Sequence, residues 1–143
     1  MTSGVRKFTK DVYNAGSAAS ISTDLTLEQD AAHVNLGGNW RMPTKAEFQE
    51  LLDNCNVTWV SSYMGNGVAG RLYTSKVNGK SVFFPAAGNC YNSSVSRVGS
   101  YGDFWSASWY SSDDAWELYF NSGSKSLGSR SRYSGCSVRG VCE

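Results

Sequence analysis

Hydrophobic and polar positions change period partway along the chain. Phe48, Leu51, Leu52 and Cys55 fall at i, i+3, i+4 and i+7, one face of a helix. Thr44 and Glu47 stand ahead of them at capping-box spacing, so a helix is predicted from about Lys45 to about Asn54. An earlier, shorter helix is predicted from Thr26 as N-cap, with Gln29 three residues on. Its stripe is Leu27, Ala31 and Val34, and it stops at Gly37-Gly38. After Cys55 the pattern becomes that of strands. Val57-Thr58-Trp59-Val60 is β-branched and aromatic. Arg71 to Ser75 and Ser81 to Phe84 flank Asn78-Gly79, a type I′ hairpin signal, and Pro85-Ala86-Ala87-Gly88 ends the second arm. Phe104 to Ser108 reads as a further strand. From Ala115 to Phe120, Trp116, Leu118 and Phe120 alternate with Glu117, Tyr119 and Asn121, which puts Glu117 and Tyr119 on the outer face. Ser137 to Val141 is predicted as the closing strand. Two helices followed by antiparallel strands make an α+β domain, with Trp59, Phe83, Trp105, Trp116, Leu118 and Phe120 as its core. No fixed-period repeat is present.

Length agrees with one domain: 143 residues suffice for a real core and are too few for two ordinary ones. Thirteen basic against 12 acidic residues leave no concentrated positive face for nucleic acid. The longest uncharged stretches, such as Val57 to Gly70, are rich in Gly, Ser and Asn, so no membrane-inserting helix is expected. Met1 to Phe8 lacks an apolar core, so no signal peptide is expected there. Serine is uneven: 8 stand in residues 1–88 and 15 in residues 89–143. With Tyr, Gly and Asn, and scattered Trp and Arg, the second part has the composition of antibody-like recognition loops.

Candidate chemistry is sparse. The only histidine, His33, has no motif relation to a nucleophile and reads as structural. Asp113-Asp114 lacks the spacing of a calcium loop and reads as a solvated turn. Asn56-Val57-Thr58 and Asn92-Ser93-Ser94 are sequons, relevant only in a glycosylating pathway. None of Cys55, Cys90, Cys136 and Cys142 forms a C-x-x-C pair. A Cys55–Cys142 disulfide would tie the end of the second helix to the last strand; four thiols in a reducing compartment is the equal alternative. Neither catalysis, a metal nor a cofactor is expected.

The scaffold positions carry a resemblance. Gly37-Gly38-Asn39-Trp40-Arg41-Met42-Pro43-Thr44 followed by Phe48 to Cys55 resembles the opening of the Fibrobacter succinogenes major paralogous domain of gut bacteria and phages. Phe83-Phe84-Pro85-Ala86-Ala87-Gly88, Val98-Gly99-Ser100-Tyr101, Phe104-Trp105-Ser106, Ala115 to Phe120 and Ser137-Val138-Arg139 continue the likeness over about residues 24–142. That family is similar to C-type-lectin-like domains. Some members resemble variable proteins of diversity-generating retroelements, whose reverse transcriptase replaces adenines at random. An AAY codon so treated yields Ser, Gly, Asp, Tyr, Arg or Cys, among others, and never Lys, Glu, Gln, Met or Trp. Residues 89–136 are heavy in the accessible types, while Trp105, Trp116, Glu117 and Lys125 lie outside them.

The resemblance implies a single C-type-lectin-like domain over 1–143, with an arm at 1–23, a scaffold at 24–88 and a variable region at 89–139. It implies a ligand-binding protein, an adhesin or receptor-binding element, outside the cell on a virion or bacterial surface. The partner would be a protein or glycan on another cell. The expected contact residues are Tyr91, Asn92, Ser93, Tyr101, Asp103, Trp109, Tyr110, Asp113, Asp114, Glu117, Tyr119, Asn121, Ser129, Arg130, Ser131, Tyr133 and Ser134. Tyrosines would supply rigid apolar area, and Asp103, Asp113, Asp114 and Arg130 charge complementarity. A fixed carbohydrate-binding lectin is the first alternative. A formylglycine-generating type of enzyme using Cys90 and Cys136 is the second.

Overall fold

The computed structural model describes residues 23–142; most of the arm drawn at 1–23, and the Met1 to Phe8 segment, lie outside them. The fold is mixed α+β, mostly strands with two short helices. In chain order these are α1 (Ala31–Leu36), β1 (Trp40–Arg41), α2 (Lys45–Asn54), β2 (Cys55–Val60), β3 (Gly70–Ser75), β4 (Ser81–Pro85), β5 (Asn89–Tyr91), β6 (Ser94–Ser96), β7 (Gly102–Trp109), β8 (Asp114–Phe120), β9 (Lys125–Ser131) and β10 (Val141–Cys142). Two three-stranded antiparallel sheets, β2-β3-β4 and β7-β8-β9, form the body; β1 pairs with β10 and β5 with β6.

Helix α2 forms where its pattern places it, with both halves of the Thr44–Glu47 box made. Glu47 also takes both ends of the Arg41 guanidinium at 2.8 and 2.7 Å. The first helix differs from expectation. Thr26 and Gln29 make only a turn, in which the Thr26 N–H donates to Gln29 Oε1 at 3.1 Å. Asp30 is the true N-cap. Its buried carboxylate accepts from the N–H groups of Ala32, His33 and, twelve residues on, Met42, at 2.8, 3.0 and 2.8 Å. One side chain thus starts α1 and fixes the entry to α2. The expected stripe is not a core face: Leu27 and Val34 are exposed, and Ala32 is the buried residue.

The core gathers Phe48 of α2, Tyr73 of β3, Phe84 of β4, Ala86, and Phe104, Leu118 and Phe120 of the second sheet. Phe84 is its centre, edge-on to Phe48, Tyr73 and Phe104 at centroid distances of 6.3, 5.1 and 5.0 Å. Phe84, not Phe83, is therefore the inward residue; Phe83 stacks on Tyr63 at 4.0 Å. Of the tryptophans expected in the core, Trp59 is half-buried against it, Trp105 is half-buried against a second cluster of Ala32, Met42 and Ala107, and Trp116 is half-buried against Tyr110.

Other corrections concern chain ends and turns. The Asn78-Gly79 hairpin forms, but through a longer turn than type I′: the Ser75 N–H donates to the Lys80 carbonyl at 2.9 Å and the Gly79 N–H to the Ser75 carbonyl at 3.0 Å. The closing strand is shorter than expected. Ser137 makes a parallel bridge to Phe104, and only Val141 and Cys142 form a strand, opposite Arg41 and Trp40. Cys55 is a half-buried free thiol at the start of β2, so the Cys55–Cys142 disulfide is not formed. Cys55 is in register with Ser75 in one sheet, whereas Cys142 is in register with Trp40 in another.

Candidate functional site

Strand β8 organises the candidate region. Leu118 and Phe120 point into the core with no exposure, so Glu117 and Tyr119 point to the opposite face, as alternation requires. That face is not open to solvent along its length. The segment after β9 turns back over it, and β5 crosses that segment. There Cys90 and Gly135 exchange N–H···O bonds at 2.7 Å each. The approach is close: a Cβ on Gly135 would lie 2.9 Å from the Cys90 Cβ.

Beneath this cover lie charges. Asp103 has no exposed surface and Glu117 only 3%. Arg130, on the next strand, spans both: its Nη2 donates to Asp103 Oδ1 at 2.6 Å and its Nε to Glu117 Oε2 at 2.8 Å. The other Asp103 oxygen accepts from Asn89 Nδ2 at 2.9 Å, and the Cys136 thiol lies 3.8 Å from Glu117 Oε2. Burial pushes the Glu117 carboxyl above its ordinary range, against the pull of the Arg130 guanidinium. Burial and the Glu117 carboxylate push the Cys136 thiol far up. A thiol kept protonated in this way is a poor nucleophile.

The expected contact residues therefore divide. Tyr91, Asn92, Ser93, Tyr110, Asp113, Ser129 and Tyr133 are exposed. Tyr101, Trp109, Asp114, Tyr119, Asn121 and Ser131 are half-buried. Asp103, Glu117 and Ser134 are buried and do not contribute to a surface. For Glu117 the outer face of the strand is not solvent, because the chain lays a second layer over it; Asp103 and Ser134 lie in the region that the resemblance marks as variable, yet their side chains turn inward. Arg130 is half-buried and committed to the two carboxylates, so it does not serve as an outward charge.

The exposed residues do not form one continuous patch. Tyr91 and Tyr133 meet edge-on at 5.6 Å, on the two crossing segments. Asn92 and Ser93 turn the β5–β6 hairpin beside them, Asn92 with φ of 54°. Asp113 is joined to this end through its carbonyl, which accepts from the Arg132 N–H at 2.9 Å. Tyr110 goes to the other face of β8. It packs edge-on to Trp116 at 4.8 Å, with Lys45 Nζ 3.9 Å over the same indole. Tyr101 and Tyr119 pair at 5.8 Å near the far end of β8, with Arg97 over Tyr101 at 4.8 Å.

Sequence reasoning missed Asn89, Lys45 and Arg97. Lys45 and Arg97 carry no local signal, because their partners lie on other elements. The Asp103–Glu117–Arg130 cluster has no such signal either: only Glu117 falls within an expected strand, and β9, which carries Arg130, has no strand pattern of its own.

Serine in this half is also partly structural. Strand pairing is irregular between Trp105 and Trp109. There Ser106 Oγ donates to the Trp116 carbonyl at 2.9 Å, and Ser108 Oγ accepts from the Lys45 N–H at 3.0 Å. His33 is structural too, its Nδ1 3.1 Å from the Trp40 carbonyl. Among the described residues, no three His, Cys, Asp or Glu side chains form a group able to hold a metal ion, and no helix is long and apolar enough to cross a membrane.

A family described as a domain of unknown function (DUF8237) matches residues 66–141, over half of the chain, and the chain belongs to that family. The match takes in β3 to β9 and every expected contact residue. No curated protein and no solved structure matches.

Proposed function

We infer that this domain is a binding module whose exposed tyrosines recognise a protein or glycan on another cell. Tyr91 and Tyr133 form the centre of the surface, with Asn92, Ser93 and Asp113 beside them. The observation that carries this reading is the Tyr91–Tyr133 pair: two exposed aromatic rings on segments locked together by reciprocal backbone bonds. Tyrosine offers large contact area with few rotors to freeze, and a backbone fixed beforehand lowers the ordering cost of association. The core residues are other residues, so these rings can be exchanged at little expense to the fold.

That separation supports the further reading of a C-type-lectin-like scaffold whose surface is diversified by a retroelement, displayed outside the cell on a virion or bacterium. Catalysis is not part of this function. The thiol chemistry an enzyme would need at Cys136 is opposed by burial and by the neighbouring Glu117 carboxylate, both of which keep the thiol protonated.

Glycan arrays and capture of surface proteins from candidate host cells test the reading. The wild-type domain should capture a ligand. The variant with Tyr91→Ala, Tyr133→Ala and Asp113→Ala should lose it at least tenfold while its melting temperature moves by only a few degrees. Undiminished capture by the triple variant overturns the assignment. Diversification is read in the genome: a reverse transcriptase gene beside a near-copy of the region encoding about residues 89–139, mismatched only at adenines, supports it. A single invariant copy refutes it.

A further inference from the structure

We propose that Arg130, Asp103 and Glu117 act as one positioning unit that sets the spacing of Tyr91 and Tyr133 without touching ligand. The functional meaning of that spacing rests on the recognition reading above, but the mechanical claim does not.

One guanidinium feeds two arms. On the first, Arg130 Nη2 holds Asp103, and Asp103 Oδ2 accepts from Asn89 Nδ2 at 2.9 Å. Asn89 Oδ1 accepts in turn from Ser96 Oγ at 3.1 Å. This arm ends in the β5–β6 hairpin, which carries Tyr91. On the second, Arg130 Nε holds Glu117, and Glu117 Oε2 faces the Cys136 thiol at 3.8 Å. This arm ends in the segment that carries Tyr133. The arms rejoin above, where Cys90 and Gly135 exchange backbone bonds and the two rings meet.

Charge explains why the unit acts as a whole. Two carboxylates with side-chain exposures of 0% and 4% share one cation. Without the cation they would face each other across neighbouring strands with no compensating charge, a state buried carboxylates leave by taking up protons or water. The sheet beneath them is held by the ladders of β7, β8 and β9. The cover is tied to the edge of β7 only at its ends, by the backbone bonds of Gly88 to Tyr101 and of Ser137 to Asp103 and Trp105, so water enters between these anchors. Water entering there separates Asn89 from Asp103 and Cys136 from Glu117, shifts the two segments against each other until the Cys90–Gly135 bonds give way, and so parts the two tyrosines. Arg130 is poorly placed as a ligand contact, because its Nε and one Nη already donate inward.

Proton NMR tests this without any ligand. The readout is the set of nuclear Overhauser cross-peaks between the Tyr91 and Tyr133 rings, with cross-strand peaks of β7, β8 and β9 as the control for an intact sheet. Wild-type protein should show both sets. Arg130→Met should lose the ring cross-peaks and keep the cross-strand peaks, and Arg130→Lys should restore them in part. Should Arg130→Met fail to fold, Glu117→Gln with Arg130→Met leaves a single buried carboxylate, still bonded to Asn89, and is expected to give the same loss. Ring cross-peaks that persist in a folded variant overturn the proposal. So does failure of both variants to fold, because the unit would then serve the sheet rather than its cover. Ligand capture by the triple variant, measured separately, reports on the recognition reading alone.

Discussion

Acid should act on the Arg41–Glu47 pair in a way that can be worked out in sign and size. The guanidinium donates to both carboxylate oxygens, and the Thr44 N–H adds a third bond at 2.8 Å. Hydrogen bonding from Arg41 holds the Glu47 carboxyl at about 2, against an ordinary value of 4.5. The folded value lies below the unfolded one. The contribution is therefore complete above pH 4.5 and is lost as pH falls toward 2. Taken at face value the shift corresponds to about 3 kcal/mol. The Glu47 side chain is 35% exposed, however, and solvent screening brings the contribution to about 1 kcal/mol. Urea unfolding followed by tryptophan fluorescence, at steps from pH 7 to pH 2, measures it. Glu47→Gln should be less stable than wild type by about 1 kcal/mol at neutral pH, and the difference should close toward zero near pH 2. Glu117 works in the opposite sense. Burial raises its folded value above 4.5, so the folded state holds this proton more tightly, and stability from this group rises as pH falls through the raised value toward 4.5. The wild-type profile should therefore climb on mild acidification and then drop, and Glu117→Gln should remove the climb alone. A Glu47→Gln deficit of equal size at pH 2.5 and pH 7 would refute the reasoning, since the loss would then come from the shape of the cap and not from its charge.

Two further substitutions probe the joints of the fold. Asp30→Ala removes the α1 cap and leaves the buried Met42 N–H without its acceptor; it should cost about 2–3 kcal/mol in chemical denaturation, and a cost under about 1 kcal/mol would show that the cross-link between α1 and the start of α2 is unimportant. Gly135→Ala places a methyl 2.9 Å from the Cys90 Cβ; it should cost about 1–3 kcal/mol by overpacking and weaken ligand capture, whereas full stability and full capture would mean that the crossing of the two segments is loose.

What the sequence reveals of this fold depends on how far each deciding contact reaches. Helix α2 is legible because its cap and its apolar face lie in one continuous stretch, Thr44 to Cys55, and repeat at helical spacing. The start of α1 is not. Thr26 and Gln29 have the right spacing and make half the box, but Asp30 reaches the Met42 N–H as well, and a local pattern does not contain that second bond. Phe83 and Phe84 show the limit of alternation: two adjacent aromatics leave the inward one undecided, and the packing of Phe48, Tyr73 and Phe104 chooses Phe84. The candidate site divides along the same line. Alternation places Glu117 on the face opposite Leu118 and Phe120, and that is where it lies. What alternation does not contain is the second layer formed by the chain around Cys90 and Gly135, whose path follows from a long-range backbone exchange rather than from any period. The polar residues of the serine- and tyrosine-rich half thus separate by position and not by type: Asp113 is exposed, and Tyr101 and Tyr119 are half-buried. Tyr91, Tyr110 and Tyr133 stand in solvent, while Asp103 and Glu117 lie under the cover and Arg130 is held between them. Composition singles out this half of the chain, but it does not tell the exposed tyrosines from the buried charges. For the fold the two classes weigh differently: an unpaired carboxylate under the cover costs far more than an altered side chain above it.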